Sequence, residues 1–184
     1  MKFGEVTRAI HAEIGGVLEQ VVDAEADALL EAVLAAKRTY ITGEGRSGLV
    51  ARTFAMRLQH VGLVSYVIGE TICPALEAGD LLIAVSGSGK SGGTLVVAEG
   101  AKKAGAKLAA ISATKDNPLA KMSDLVLVVP GATKHEAKGE AKSIQPLSSL
   151  FDQSQHVVQD ALTVLLGQRL EKSKAEMKSK HANV

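Results

Sequence analysis

The chain has 184 residues, 46% of them hydrophobic but only 3% aromatic, with 18 glycines, which suits one domain with a tightly packed Ala, Val, Leu and Ile core. Its 21 basic and 20 acidic residues leave a formal charge of +1, which excludes a general field for nucleic acid or an anionic membrane and points to a small ligand. A single cysteine, Cys73, excludes an internal disulfide and cannot alone make a zinc site, and no run approaches the roughly 18 apolar residues of a membrane span, so a cytoplasmic protein is expected.

From Phe3 to about Lys37 apolar residues such as Ile10, Ile14, Val17, Leu29, Leu30 and Val33 recur at helical spacing, which predicts two helices ahead of the first strand. Five short apolar runs follow, at 39–42, 65–68, 81–85, 108–111 and 125–129, with helical patterns at 47–61 and 93–105 and a Pro/Gly-punctuated connection before the third run. Buried strands alternating with covering helices predict an α/β fold with a five-stranded parallel sheet. The polar, lysine-rich stretch 131–146 is expected to loop over the C-terminal edge of that sheet, where ligands bind. A long amphipathic pattern at 147–170 predicts a closing helix, and a charged tail, 171–184, ends the chain. The expected organisation is one domain over 1–184: N-terminal helices to 37, sheet and helices over 38–170, then the tail.

Two glycine-rich loops carry the chemistry. Ser86-Gly87-Ser88-Gly89-Lys90-Ser91 follows the strand 81–85 and opens a helix. Glycines let backbone N–H groups converge, serines add donors, and the positive end of the following helix favours a phosphate. It resembles a Walker A loop, but its first position is Ala84 and no later strand ends in an Asp that would hold magnesium. The other loop, Gly43 to Gly48, fits G-x-G-x-x-G with Glu70 at the end of the next strand, a dinucleotide pattern; the chain, however, has little left for a second substrate domain. A third possibility joins both loops at one sheet edge around a phosphosugar. Lys90 in a helix first turn fits an anion nearby, or is a solvated surface lysine.

Gly45-Arg46-Ser47-Gly48-Leu49-Val50-Ala51-Arg52, Phe54 to Leu58, Gly69-Glu70-Thr71, Ser86 to Gly89 and the ending Met177 to Asn183 resemble the sugar isomerase (SIS) fold, a flavodoxin-like three-layer sandwich, and within it the 6-phospho-3-hexuloisomerase family. The resemblance implies interconversion of 3-hexulose 6-phosphate and fructose 6-phosphate by enediol proton transfer, with no metal or redox cofactor, in formaldehyde fixation by the ribulose monophosphate route. It further implies a homodimer or homotetramer, for which the N-terminal helices are the expected packing surface. It assigns phosphate binding to Ser86, Gly87, Ser88, Gly89, Lys90 and Ser91, and a substrate hydrogen bond to Ser47, which could equally cap a helix. Arg46 would support the phosphate or pair with Glu44.

The segment Pro146 to Gln153 matches the one that supplies the base, but the family usually has Gly, Thr and Glu where this chain has Ser148, Ser149 and Asp152. Asp is one methylene shorter, so three alternatives stand: a retuned base, a base elsewhere such as Glu70, or an altered substrate. His60 matches a family histidine and would carry protons between oxygens or simply cap a helix C-terminus. The resemblance lets the tail with His181 cover a site. A noncatalytic phosphosugar-sensing module is the alternative that Asp152 keeps open.

Overall fold

The computed structural model describes residues 1–134 and 142–183. Residues 135–141, within the lysine-rich stretch expected to cross the sheet edge, lie outside the described residues. Twelve elements follow in order: α1 (Phe3–Leu18), α2 (Asp23–Ala35), β1 (Thr39–Gly43), α3 (Gly45–His60), β2 (Ser65–Val67), β3 (Leu81–Val85), α4 (Gly92–Lys103), β4 (Lys107–Ser112), α5 (Pro118–Met122), β5 (Leu125–Val128), α6 (Ser149–Arg169) and α7 (Lys174–Ser179). All strand pairings are parallel, in the order β2-β1-β3-β4-β5. This is the expected five-stranded α/β architecture.

Alternation along the strands builds two cores. Leu81, Ile83 and Val85 of β3 face one way and join Leu29, Leu30 and Val33 of α2, Phe54 and Leu58 of α3, and Leu150, Phe151 and Leu162 of α6. Leu82 and Ala84 face the other way, with Tyr40, Leu108, Ala110 and, from α4, Ala98 and Ala101. The sheet is thus buried on both faces, as a parallel sheet requires. The second layer is alanine-rich, so α4 packs close to the strands. The β2–β3 connection runs without a helix; Ile68, Cys73 and Leu76 pack on this alanine-rich layer. It is tied down where Arg38 grips buried Asp80 (Nε to Oδ1 2.9 Å, Nη2 to Oδ2 2.6 Å) and Tyr40 donates to the Ala75 carbonyl.

One element differs from expectation. The charged tail contains α7, because Ser173 and Glu176 form a reciprocal capping box that starts a helix in an otherwise polar segment. Within the chain α1 packs on α6 and buries Val17, so part of its apolar face is consumed internally. Among the described residues no helix is long and apolar enough to cross a membrane.

Candidate active site

The strand order reverses at β1. The chain leaves β1 for β2 on one side and returns to β3 on the other, with Gly43 and Val85 ending the two strands in register. The loops that follow β1 and β3 therefore diverge there, opening a crevice at the C-terminal edge. The N-termini of α3, α4 and α6 meet around a cavity of about 470 Å³, lined by Glu44 to Ser47, Val85 to Ser88, Ser91, Lys134, Pro146 to Ser149 and Asp152. Three helix starts give this cavity a bias toward negative charge.

Two glycines make the geometry possible. A Cβ on Gly48 would stand 2.2 Å from the Gly43 carbonyl oxygen, so only glycine lets α3 start this close over β1. Gly89 has φ +62°, and a Cβ there would stand 1.8 Å from Asn117 Oδ1. That tight turn shapes the loop 86–91. Within it, the Ser86 hydroxyl oxygen accepts from Gly89 N at 3.1 Å and lies 3.2 Å from Ser91 Oγ, while Ser88 Oγ accepts from Lys90 N at 3.3 Å. Among the described residues, no protein acceptor takes the N–H groups of Ser88, Ser91, Gly92 and Gly93. They form a nest with the donors an anion needs.

Glu44 does not pair with Arg46. Its Oε1 accepts from Thr94 N at 2.8 Å and so occupies part of the α4 N-terminus. Gly89 and Lys90 were expected to line the binding site but do not. Gly89 acts through backbone shape, and Lys90 is exposed, its charge acting on the Asp116 carboxyl behind the stronger contact from Lys121. The Asp required of an NTPase is replaced by Ser112 at the end of β4, which donates to the Gly87 carbonyl and accepts from Asn117.

Asp152, in the first turn of α6, is only 2% exposed. Its Oδ1 accepts from the Ser47 hydroxyl at 2.5 Å, and its Oδ2 lies 3.8 Å from Arg46 Nε. Burial pushes its pKa above the usual carboxylate value, and the Ser47 hydrogen bond and Arg46 charge oppose that rise without cancelling it. The shorter Asp side chain therefore still reaches Ser47. Arg46 is steadied by donating from Nη1 to Ser149 Oγ at 2.9 Å. Behind the site, Gln155 donates to the Ser47 carbonyl at 3.3 Å, Gln159 to Gln155 Oε1 at 2.5 Å, and Thr163 to the Gln159 carbonyl at 2.9 Å. One polar file on α6 thus holds Ser47 from both its hydroxyl and its carbonyl.

His60 is not part of this constellation. It lies 13 residues beyond Ser47 on the same helix, about 20 Å away at 1.5 Å per residue, and faces a different cavity. Glu70 also lies outside this crevice within the chain. It is exposed, ion-paired with Arg52, and sits on a shallow cleft beside β2. Sequence reasoning missed Lys134, Glu44, Leu147 and Gln155. Leu147 takes φ +56° while lining the cavity, a strained conformation of the kind that clusters at functional sites. Gln155 carried a legible signal, lying three residues after Asp152 on the same helix face.

Fold and crevice together define an α/β protein shaped to seat a small anionic ligand beside a buried carboxylate. The chain belongs to the SIS domain family, which matches residues 33–157. A 3-hexulose-6-phosphate isomerase of Mycobacterium gastri is 39% identical over 95% of this chain and 87% of its own length. A 3-hexulose-6-phosphate isomerase of Bacillus subtilis is 34% identical over the full length of both chains. A solved Methanococcus jannaschii protein, whose structure led to an inferred 3-hexulose-6-phosphate isomerase function, superposes with a TM-score of 0.84 at 30% identity over 98% of this chain and 99% of that one.

Proposed function

We propose that the chain is a 3-hexulose-6-phosphate isomerase that forms fructose 6-phosphate through an enediol, with Asp152 as the base. One observation carries the reading: a buried carboxylate shares a 470 Å³ cavity with a serine- and glycine-rich anion nest. The names of relatives that are 34–39% identical over nearly the whole chain point the same way.

The phosphate sits on Ser86, Ser88, Ser91 and the backbone of the Gly87 turn, which leaves the sugar carbons near α3 and α6. Asp152 takes the proton from C2 of the 3-ketose. The released electron pair forms the C2–C3 double bond, and the O3 oxyanion takes up a proton to give the enediol. Loss of the O2 proton and return of a proton to C3 then leave the carbonyl at C2. Arg46 and the Ser47 hydroxyl supply the donors for the negative charge that develops on oxygen. No electron leaves the sugar, so the step needs no redox cofactor. In this reading the protein is a cytoplasmic homo-oligomer of the ribulose monophosphate route.

The test is a coupled assay of fructose 6-phosphate formation from enzymatically made 3-hexulose 6-phosphate. Turnover is expected. Thermal stabilisation by the sugar phosphate with no turnover would overturn the isomerase in favour of a sensing module.

A further inference from the structure

Helix α1 stands outside the strand–helix alternation that builds the sheet, yet one of its carboxylates holds the segment that leads into the crevice. Glu13 accepts three hydrogen bonds from residues 143–145. Its Oε1 takes the Ile144 N–H at 2.8 Å, and its Oε2 takes the Ser143 hydroxyl at 2.7 Å and Gln145 Nε2 at 3.0 Å. The Ser143 hydroxyl oxygen in turn accepts from Gln145 N at 2.9 Å and closes the knot. Partial burial pushes the Glu13 carboxyl up, but the hydrogen bonds from Ile144, Gln145 and Ser143 outweigh it and leave its pKa below the ordinary value.

The four residues after this knot, Pro146 to Ser149, line the crevice. Hydrophobic burial does little to hold them. Ile144 is 53% exposed and Leu147 75%, and Pro146 is exposed as well. Hydrogen bonds fix the segment instead: Lys134 N donates to Ser148 Oγ at 3.1 Å, Arg46 Nη1 to Ser149 Oγ at 2.9 Å, and Ser149 N to the Pro146 carbonyl at 3.1 Å. Between the knot and α6 the chain turns at Leu147 with φ +56°, a conformation that a leucine keeps only when both flanks are held. The Ser148 carbonyl accepts from Asp152 N at 2.9 Å, so a displaced turn passes its error directly to the carboxylate of the site.

We propose that Glu13 is a positioning residue for the reaction: by pinning Ser143 to Gln145 it fixes the turn at Leu147, and with it the placement of Ser149 and Asp152 at the start of α6. It does not line the crevice and acts only through the segment it holds. Its effect on rate rests on the isomerase reading, whereas its effect on the order of residues 143–152 does not. The anion nest at 86–91 belongs to other elements, so loss of Glu13 leaves phosphate binding in place and misaligns the base. A displacement of about 1 Å can cost on the order of a hundredfold in rate.

The experiment compares Glu13→Gln and Glu13→Ala with the wild type as full chains, by the coupled assay and by hydrogen exchange. Glu13→Ala is expected to lower kcat at least tenfold while KM changes by less than about threefold. Glu13→Gln keeps one acceptor oxygen and should fall between. Ser143→Ala combined with Gln145→Met should reproduce part of the loss and add nothing to Glu13→Ala, because both act on one knot. Peptides covering 143–152 should exchange at least severalfold faster in both Glu13 variants, with those covering 86–91 unchanged; should the alanine variant fail to fold, the glutamine variant decides. Unchanged exchange over 143–152 overturns the proposal. So does, in an active wild type, an unchanged kcat, a loss confined to KM, or a loss fully additive with that of the Ser143 and Gln145 pair. A folded wild type without turnover overturns the isomerase reading, and the exchange over 143–152 then decides whether Glu13 positions the segment.

Discussion

Asp152 carries two opposing demands. Burial disfavours its charge while catalysis requires it, and the Ser47 hydrogen bond and the Arg46 charge hold the balance. Asp152→Asn should lower kcat by about 10²–10⁴-fold with KM changed little, measured in the coupled assay. The same variant should raise Tm by a few degrees. The sign follows from linkage: with the folded pKa raised, the folded state holds its proton more tightly, so stability falls as pH rises from the unfolded pKa through the folded one. Above the raised pKa the wild type bears that cost, and the neutral amide removes it. The ionised form is the base, so kcat/KM should fall as pH drops through the raised Asp152 pKa. Ser47→Ala removes a hydrogen bond that favours the carboxylate, and should move this acid limb to higher pH. A limb that stays put or moves down would show that Ser47 does not tune Asp152.

At the scale of elements, each wall of the crevice depends on backbone features that side-chain chemistry alone does not reveal. Gly89→Ala must strain a positive φ and displace Asn117, which caps α5 through Ala120 N. It should raise KM for the sugar phosphate about tenfold or more and lower Tm, whereas Ser88→Ala should raise KM and leave Tm near wild type. Gln155→Leu removes the donor to the Ser47 carbonyl and the acceptor of Gln159. Unfolding in urea should show a loss of about 1–3 kcal/mol, and kcat should fall with it. The strands were legible because β3 is a wholly apolar run ended by Ser86 and Gly87, and the loop positions followed from it. Within one chain His60 lies apart from the crevice, because a linear motif does not encode which end of a helix reaches the sheet edge; helix rise alone puts it about 20 Å from Ser47. For Lys90 the structure shows the solvated alternative: it follows the left-handed Gly89, is exposed and lies outside the cavity lining. Glu44 went unassigned because its partner, Thr94, is 50 residues away.

For the whole molecule, sheet order decides function: the reversal at β1 brings the two glycine loops together, and every residue of the proposed chemistry lies at that edge. The opposite end of α3 faces a different cavity. Assembly follows from surface rather than sheet. The N-terminal helices were the expected subunit surface, yet α6 exposes Val157, Ala161, Val164 and Leu165 at helical spacing, with Leu49 and Met56 exposed on α3. If the homo-oligomer proposed above packs through this stripe rather than through the N-terminal helices, charges placed on it will weaken assembly. Val164→Glu with Leu165→Lys should therefore lower the mass measured by light scattering, and an unchanged mass would place the interface elsewhere. The most direct test of the central claim compares fructose 6-phosphate formation from 3-hexulose 6-phosphate by the wild type and by Asp152→Asn under saturating substrate. The wild type should convert the sugar at least a hundredfold faster, in line with loss of a general base. Absence of conversion by a folded wild type, or a variant within severalfold of it, would contradict the account.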